Sequence, residues 1–133
     1  MTLHRTLHLC AVGACLAWSG STLAKEPPCR VEPFQGATLP QGTTTRMVVV
    51  NTGTVCLISN YGVPSERSNP ADSGKIIKNP AHGKAEFVAP HAQYTPAQGY
   101  VGEDEFEFEA FARGRSNQQV RLRVQVKVVV VAP

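Results

Sequence analysis

The sequence has few of the signals that disclose an activity. It contains no H-E-x-x-H pair, no G-x-S-x-G elbow, no phosphate-cradling glycine loop and no EF-hand loop. The common zinc-protease, serine-hydrolase, nucleotide and calcium-loop chemistries therefore lack their usual residues. No sustained helical stripe of apolar residues occurs, which argues against a bundle or an α/β layer. The apolar run Leu7 to Trp18 is too short to cross a bilayer, and the valine-rich C-terminal stretch is interrupted by Arg121, Arg123 and Lys127. Charge of one sign is also scarce. Of 13 Lys+Arg, only Arg5 lies in the first 24 residues, so 12 remain against 10 Asp+Glu. An excess of two is too small to argue for nucleic acid or an anionic membrane as partner.

What is present at the N-terminus reads as an export signal: a weakly basic start at Arg5, the short apolar run, then Thr22-Leu23-Ala24 with small residues suited to cleavage before Lys25. The rival reading, Val12-Gly13-Ala14-Cys15 as a lipoprotein box acylated at Cys15, has a short apolar run before it and good cleavage chemistry after it. The expected organisation is a signal peptide over 1–24 and one domain over 25–133, periplasmic or secreted. The one tryptophan, Trp18, leaves with the signal, as do Cys10 and Cys15. Two cysteines, Cys29 and Cys56, stay in the mature chain, and in an exported protein they imply a disulfide. A metal pair would want further ligands at suitable spacing and a redox pair is usually C-x-x-C; neither pattern is present.

Ten prolines and nine glycines cut the rest into short β-branched and aromatic segments. Expected strands are Cys29–Glu32, Thr44–Val50, Thr54–Ser59, Gly74–Lys78, Lys84–Ala89, Gln93–Thr95, Glu105–Ala112 and Val120–Val131. Asn51-Thr52-Gly53 reads as a hairpin turn, Asn79 to Gly83 as a second, and Tyr61 to Ser73 as a long surface loop. The last two strands are the most legible. Phe106 and Phe108 alternate with Glu105, Glu107 and Glu109, while Val120, Leu122, Val124 and Val126 alternate with Arg121, Arg123, Gln125 and Lys127. Each strand thus buries one face, and a one-residue slip would turn the glutamates inward. Paired positions should sum to an even number near 230 to 232, for example Glu107 with Arg123. Such a pattern predicts an all-β fold: an antiparallel sandwich of about seven strands, its interior filled by valines and aromatics.

From Gly74 to Val129 the chain resembles the repeat unit of bacterial cadherin-like and immunoglobulin-like surface domains. The residues that carry the likeness are Gly74-Lys75-Ile76, Asn79-Pro80-Ala81-His82-Gly83, the run Tyr94-Thr95-Pro96-Ala97-Gln98-Gly99-Tyr100-Val101-Gly102-Glu103-Asp104-Glu105-Phe106-Glu107-Phe108, and the alternating last strand. The resemblance implies an immunoglobulin-like sandwich used as a spacer or binding module in adhesins, some of which hold calcium between repeats. Here a single unit stands where the family has arrays. Ala112-Arg113-Gly114-Arg115 also replaces the Asp-Gly turn that would supply one calcium ligand. Pro96, Gly99 and Gly102 carry the chain round a corner that Asp104 is suited to cap, with Tyr94 and Tyr100 packed at the sheet edge.

Residues with chemical potential are few. The acidic run Glu103-Asp104-Glu105-Glu107-Glu109 reads as a solvated strand face rather than a cation site, since alternating carboxylates lie along a line and do not converge. His82 and His91, the mature chain's two histidines, would need a third partner such as Asp72 or Glu86 to form a metal or acid–base site. Ser59, Ser65, Ser68, Ser73 and Ser116 carry no nucleophile motif. Arg113, Gly114, Arg115, Arg121 and Arg123 gather positive charge at one end of the last hairpin and could grip an acidic glycan or protein. The expectation is a monomeric, non-catalytic module with no cofactor, binding a protein or cell-surface glycan. An inhibitor or accessory subunit of an exported enzyme is the alternative.

Overall fold

The computed structural model describes residues 27–59 and 70–133. The expected signal segment and residues 60–69, most of the expected surface loop, lie outside them. Eight strands and no helix occur among the described residues: β1 (Cys29–Val31), β2 (Thr43–Val50), β3 (Cys56–Ser59), β4 (Ala71–Lys78), β5 (Gly83–Val88), β6 (His91–Pro96), β7 (Gly102–Arg113) and β8 (Gln119–Val131). They form a two-sheet sandwich, one sheet ordered β1-β2-β8-β7-β4 and the other β3-β6-β5.

The period-2 alternation of β7 and β8 does what its spacing requires. They pair antiparallel without a shift, Glu105 opposite Lys127, Glu107 opposite Gln125 and Glu109 opposite Arg123. The sum is even, 232 throughout. Glu107 is therefore two positions off the partner expected for it, and its ion pair with Arg123 runs diagonally across the ladder. Phe106, Phe108, Ala110, Leu122, Val124 and Val126 face inward and are fully buried. A line of rings runs through the core. Tyr94 stacks on Phe106 at 5.5 Å, Phe106 meets Phe108 at 6.4 Å, and Phe108 meets Phe87 at 6.2 Å. These offset contacts each add about 0.5–1.5 kcal/mol beyond area burial. Alanines at 85, 92, 110 and 112 leave room for them.

Several local expectations are corrected. The sandwich is not wholly antiparallel, because β2 lies parallel to β8 over eight residue pairs, from Thr43 opposite Val124 to Val50 opposite Val131. Asn51-Thr52-Gly53 is not a hairpin turn: β2 pairs with β1 and β8, while β3 pairs with β6 in the other sheet. Asn51 explains the change of direction, since its side-chain amide donates to the carbonyls of Ala97 and Tyr100 and holds the crossing chain to a neighbouring loop. The segment Asn79–His82 likewise carries the chain between sheets, from β4 to β5, instead of closing a hairpin. Ala71–Ser73 belong to β4 rather than to the loop, and His91 opens β6.

Disulfide Cys29–Cys56, with Cα atoms 5.7 Å apart, ties the start of β1 to the start of β3 and so joins the two sheets along one side. Along the other side β4 closes on β5 through Gly74. A Cβ there would lie 2.7 Å from the Glu109 carbonyl oxygen and 2.8 Å from two ring carbons of Phe87. Gly74→Ala should therefore cost about 1–3 kcal/mol by overpacking, read as a lowered thermal midpoint. Phe87→Leu in the same chain should recover part of the loss. Equal midpoints for Gly74→Ala and the natural protein would contradict this packing.

Candidate functional site

β1 begins and β8 ends at the same pole of the sandwich, because Cys29 lies opposite Val49 on antiparallel β2 and Val131 lies beside Val50 on parallel β8. The same pole holds the crossings 51–55, 79–82 and 97–101. At the opposite pole lie the β1–β2 loop (32–42), the two-residue turn Ala89-Pro90 with its cis peptide, the β7–β8 loop (114–118), and the points where the chain leaves β3 at Ser59 and returns at Ala71.

The chain-end pole is organised by Asp104, the only buried ionisable side chain among the described residues other than Tyr94, and 8% exposed. Its two oxygens take four donors. Oδ1 accepts from the backbone N–H of Ala81 and Glu105 at 2.9 Å each, and Oδ2 accepts from His82 N–H at 3.1 Å and Tyr94 Oη at 2.8 Å. A buried carboxylate is tolerable only when paired or hydrogen-bonded in this way. Asp104 thus caps the 79–82 crossing rather than the 97–101 corner, and Tyr94 is fully buried rather than packed at an edge. Gly83 makes the approach possible, since a Cβ there would lie 2.8 Å from the Tyr94 hydroxyl. Burial, then the hydrogen bond to Asp104, pushes the Tyr94 phenol well above its ordinary value, so it stays a donor. The signal for this role was parity: Asp104 sits on the same face of its strand as Phe106 and Phe108, while every neighbouring glutamate sits on the other.

That other face is a charged lattice. Glu105, Glu107 and Glu109 of β7 are met by cations or an amide of the flanking strands. Glu109 meets Lys75 and Arg121, Glu107 meets Arg123, and Glu105 meets Lys78 and Gln125. Hydrogen bonds from Lys78 and Gln125 hold the Glu105 carboxyl below its ordinary range, and the same contact raises Lys78. These three carboxylates are spread along the sheet and already partnered. A groove of about 850 Å³ crosses this face, lined by Arg46, Lys78, Lys127, Glu103, Glu105 and Val129; a second of about 650 Å³ lies beside Val55, His82, Lys84, Glu86 and Thr95.

The histidines are not brought together. His82, at the chain-end pole, stacks on Tyr100 with ring centroids 4.1 Å apart. His91, at the other pole, accepts or donates a 3.2 Å hydrogen bond with the Ser59 hydroxyl across the β3–β6 pair. About 20 Å of hairpin separates them at the usual rise per residue, since His91 lies opposite Val88. Asp72 pairs with Arg113 and Glu86 with Lys84, so neither joins a histidine. Among the described residues no carboxylate lies within ion-pair distance of His91, which leaves its contact with Ser59 without the third group a nucleophilic triad needs. No group of three metal-ligating side chains forms among the described residues.

Comparison with protein-family models, with characterised proteins and with solved structures finds no match to this chain.

The Asp104–Tyr94 contact has a readable pH signature. The folded-state phenol titrates above the unfolded value of about 10, so its contribution is complete below pH 10 and is lost as the pH rises further. Tyr94→Phe should cost about 1–3 kcal/mol at pH 7 by leaving one carboxylate oxygen a donor short. Urea unfolding should also show a shallower fall in stability between pH 10 and 11.5 for the variant than for the natural protein. Parallel profiles would contradict the buried phenol–carboxylate contact.

Proposed function

We propose that this protein is an exported, non-catalytic, immunoglobulin-like module that binds a protein or cell-surface glycan through the loops at the pole away from its chain ends. The observation that carries the reading is the common pole of β1's start and β8's end. Domains strung end to end as spacers need the chain to enter and leave at opposite poles. A chain that enters and leaves on one side leaves the other side free to meet a partner. The strand order, with β2-β8-β7-β4 facing β3-β6-β5, supports an immunoglobulin-like arrangement. The disulfide fits an oxidising compartment, and no described helix is long and apolar enough to cross a membrane.

The free pole is pre-shaped and positive. Gly114 N–H donates to the Gln118 carbonyl at 2.9 Å, Asn117 N–H to the Gly114 carbonyl at 3.0 Å, and Ser116 N–H to the Gln118 side-chain oxygen at 2.9 Å. Asn117 takes a left-handed backbone (φ 60°), which asparagine tolerates better than most residues. A loop already held in one conformation loses less entropy on binding. Arg113 and Arg121 at this pole are engaged by Asp72 and Glu109, while Arg115 projects into solvent. An acidic protein surface or an anionic glycan matches that charge.

In-cell crosslinking of the tagged protein, with mass spectrometry of what is captured and a parallel glycan array, tests the reading. Arg115→Glu combined with Ser116→Gly should lower capture or glycan signal at least tenfold while leaving the thermal midpoint unchanged. Binding indifferent to that pole, yet lost on changing the sheet faces, would overturn it.

A further inference from the structure

The polar alternation on the outer face of the five-stranded sheet stops at the same level on two strands far apart in sequence. On β8 the outward residues run Arg121, Arg123, Gln125, Lys127 and then Val129, Val131; on β2 they run Thr44, Arg46 and then Val48, Val50. The parallel register sets Arg46 beside Lys127, Val48 beside Val129, and Val50 beside Val131, so the two breaks form one apolar patch at the chain-end pole. Val101, 58% exposed, extends it on the β7 side. Strands that read as apolar on both faces are usually covered on both faces. The sheet β3-β6-β5 covers the inner side, and no described strand packs on the outer one.

The register also fixes what flanks the valines. Across one row lie Glu103 on β7, Val129 on β8, Val48 on β2 and Arg30 on β1. Neither the Glu103 carboxylate nor the Arg30 guanidinium has an ionic partner among the described residues. Acid, valine, valine, base is a row that complements itself under a two-fold rotation about an axis parallel to the strands and midway between β8 and β2. Such a rotation sets Val129 over Val48, Val131 over Val50, and Glu103 over Arg30, twice. We infer that this patch is where a second copy of the chain docks, face to face, as an isologous dimer.

The next row limits the contact. There the same rotation sets Lys127 over Arg46 and Glu105 over Glu32, like against like. Docking is therefore confined to two rows, well below the roughly 800 Å² per partner of a standard interface. Association is accordingly weak, with dissociation in the range of about 10 µM to 1 mM.

Sedimentation velocity of the exported protein across that concentration range tests the inference. Arg30→Glu and Glu103→Arg should each weaken the dimer at least tenfold, and the two together in one chain should restore it. That rescue is peculiar to the two-fold geometry. Lys127→Glu should tighten the dimer, because it turns the repulsion between Lys127 and Arg46 of the facing copy into attraction, leaving only the Glu105–Glu32 overlap unfavourable in that row. All three positions lie on the outer face, so thermal midpoints report whether each variant is folded. A protein that stays monomeric at 1 mM, or a dimer indifferent to the charge exchange, would overturn it.

Discussion

The antiparallel pairing of β7 with β8 runs through twelve residue pairs without a shift, and the remaining contacts are arranged around it. Its register cannot slip by one residue without burying four carboxylates of β7 and exposing Phe106 and Phe108. With it fixed, β4 is seated on one flank of the hairpin and β2 on the other. Glu105, Glu107 and Glu109 receive cations or an amide from the flanking strands, and the inward phenylalanines become the middle of the aromatic line that reaches the smaller sheet. The exposed ion pairs contribute little individually, each about 0–1 kcal/mol. Their importance lies in making the alternative registers costly.

Asp104 translates that register into the third dimension. It belongs to the buried face of β7, yet its acceptors are filled by Tyr94 of the opposite sheet and by the crossing that links β4 to β5. One carboxylate thereby fixes the spacing of two sheets and the path between them. Cys29–Cys56 does comparable work on the far side by covalent means, closing a 27-residue separation. The loop-entropy model gives such a closure roughly 3–4 kcal/mol. Both ties lie toward the chain-end pole, so the opposite pole is held by strand pairing and by hydrogen bonds within its own loops.

The parts legible in the sequence were those that a period of two encodes. The β7–β8 hairpin, the parity of its pairing and the composition of the core followed from alternation alone, and the cysteine pair from compartment. Alternation does not encode strand direction. The parallel β2–β8 pairing joins segments about eighty residues apart, with no local turn to announce it. Asn51-Thr52-Gly53 has hairpin chemistry, but Asn51 spends its amide on two carbonyls of the 97–100 loop instead. Asp104 was grouped with the glutamates by charge, although its parity places it with the phenylalanines. His82 and His91 fall at opposite ends of one hairpin, a separation that no motif in the sequence discloses. The valine patch follows from two short runs only once the register that aligns them is known.

Native-state hydrogen exchange tests most directly whether the β7–β8 hairpin organises this sandwich. Amides of β7 and β8 should exchange last and only through global unfolding, with β1 and β4 opening earlier at lower free energy. If amides of the β3-β6-β5 sheet outlast those of β7 and β8, the smaller sheet is the organising element and the account is contradicted.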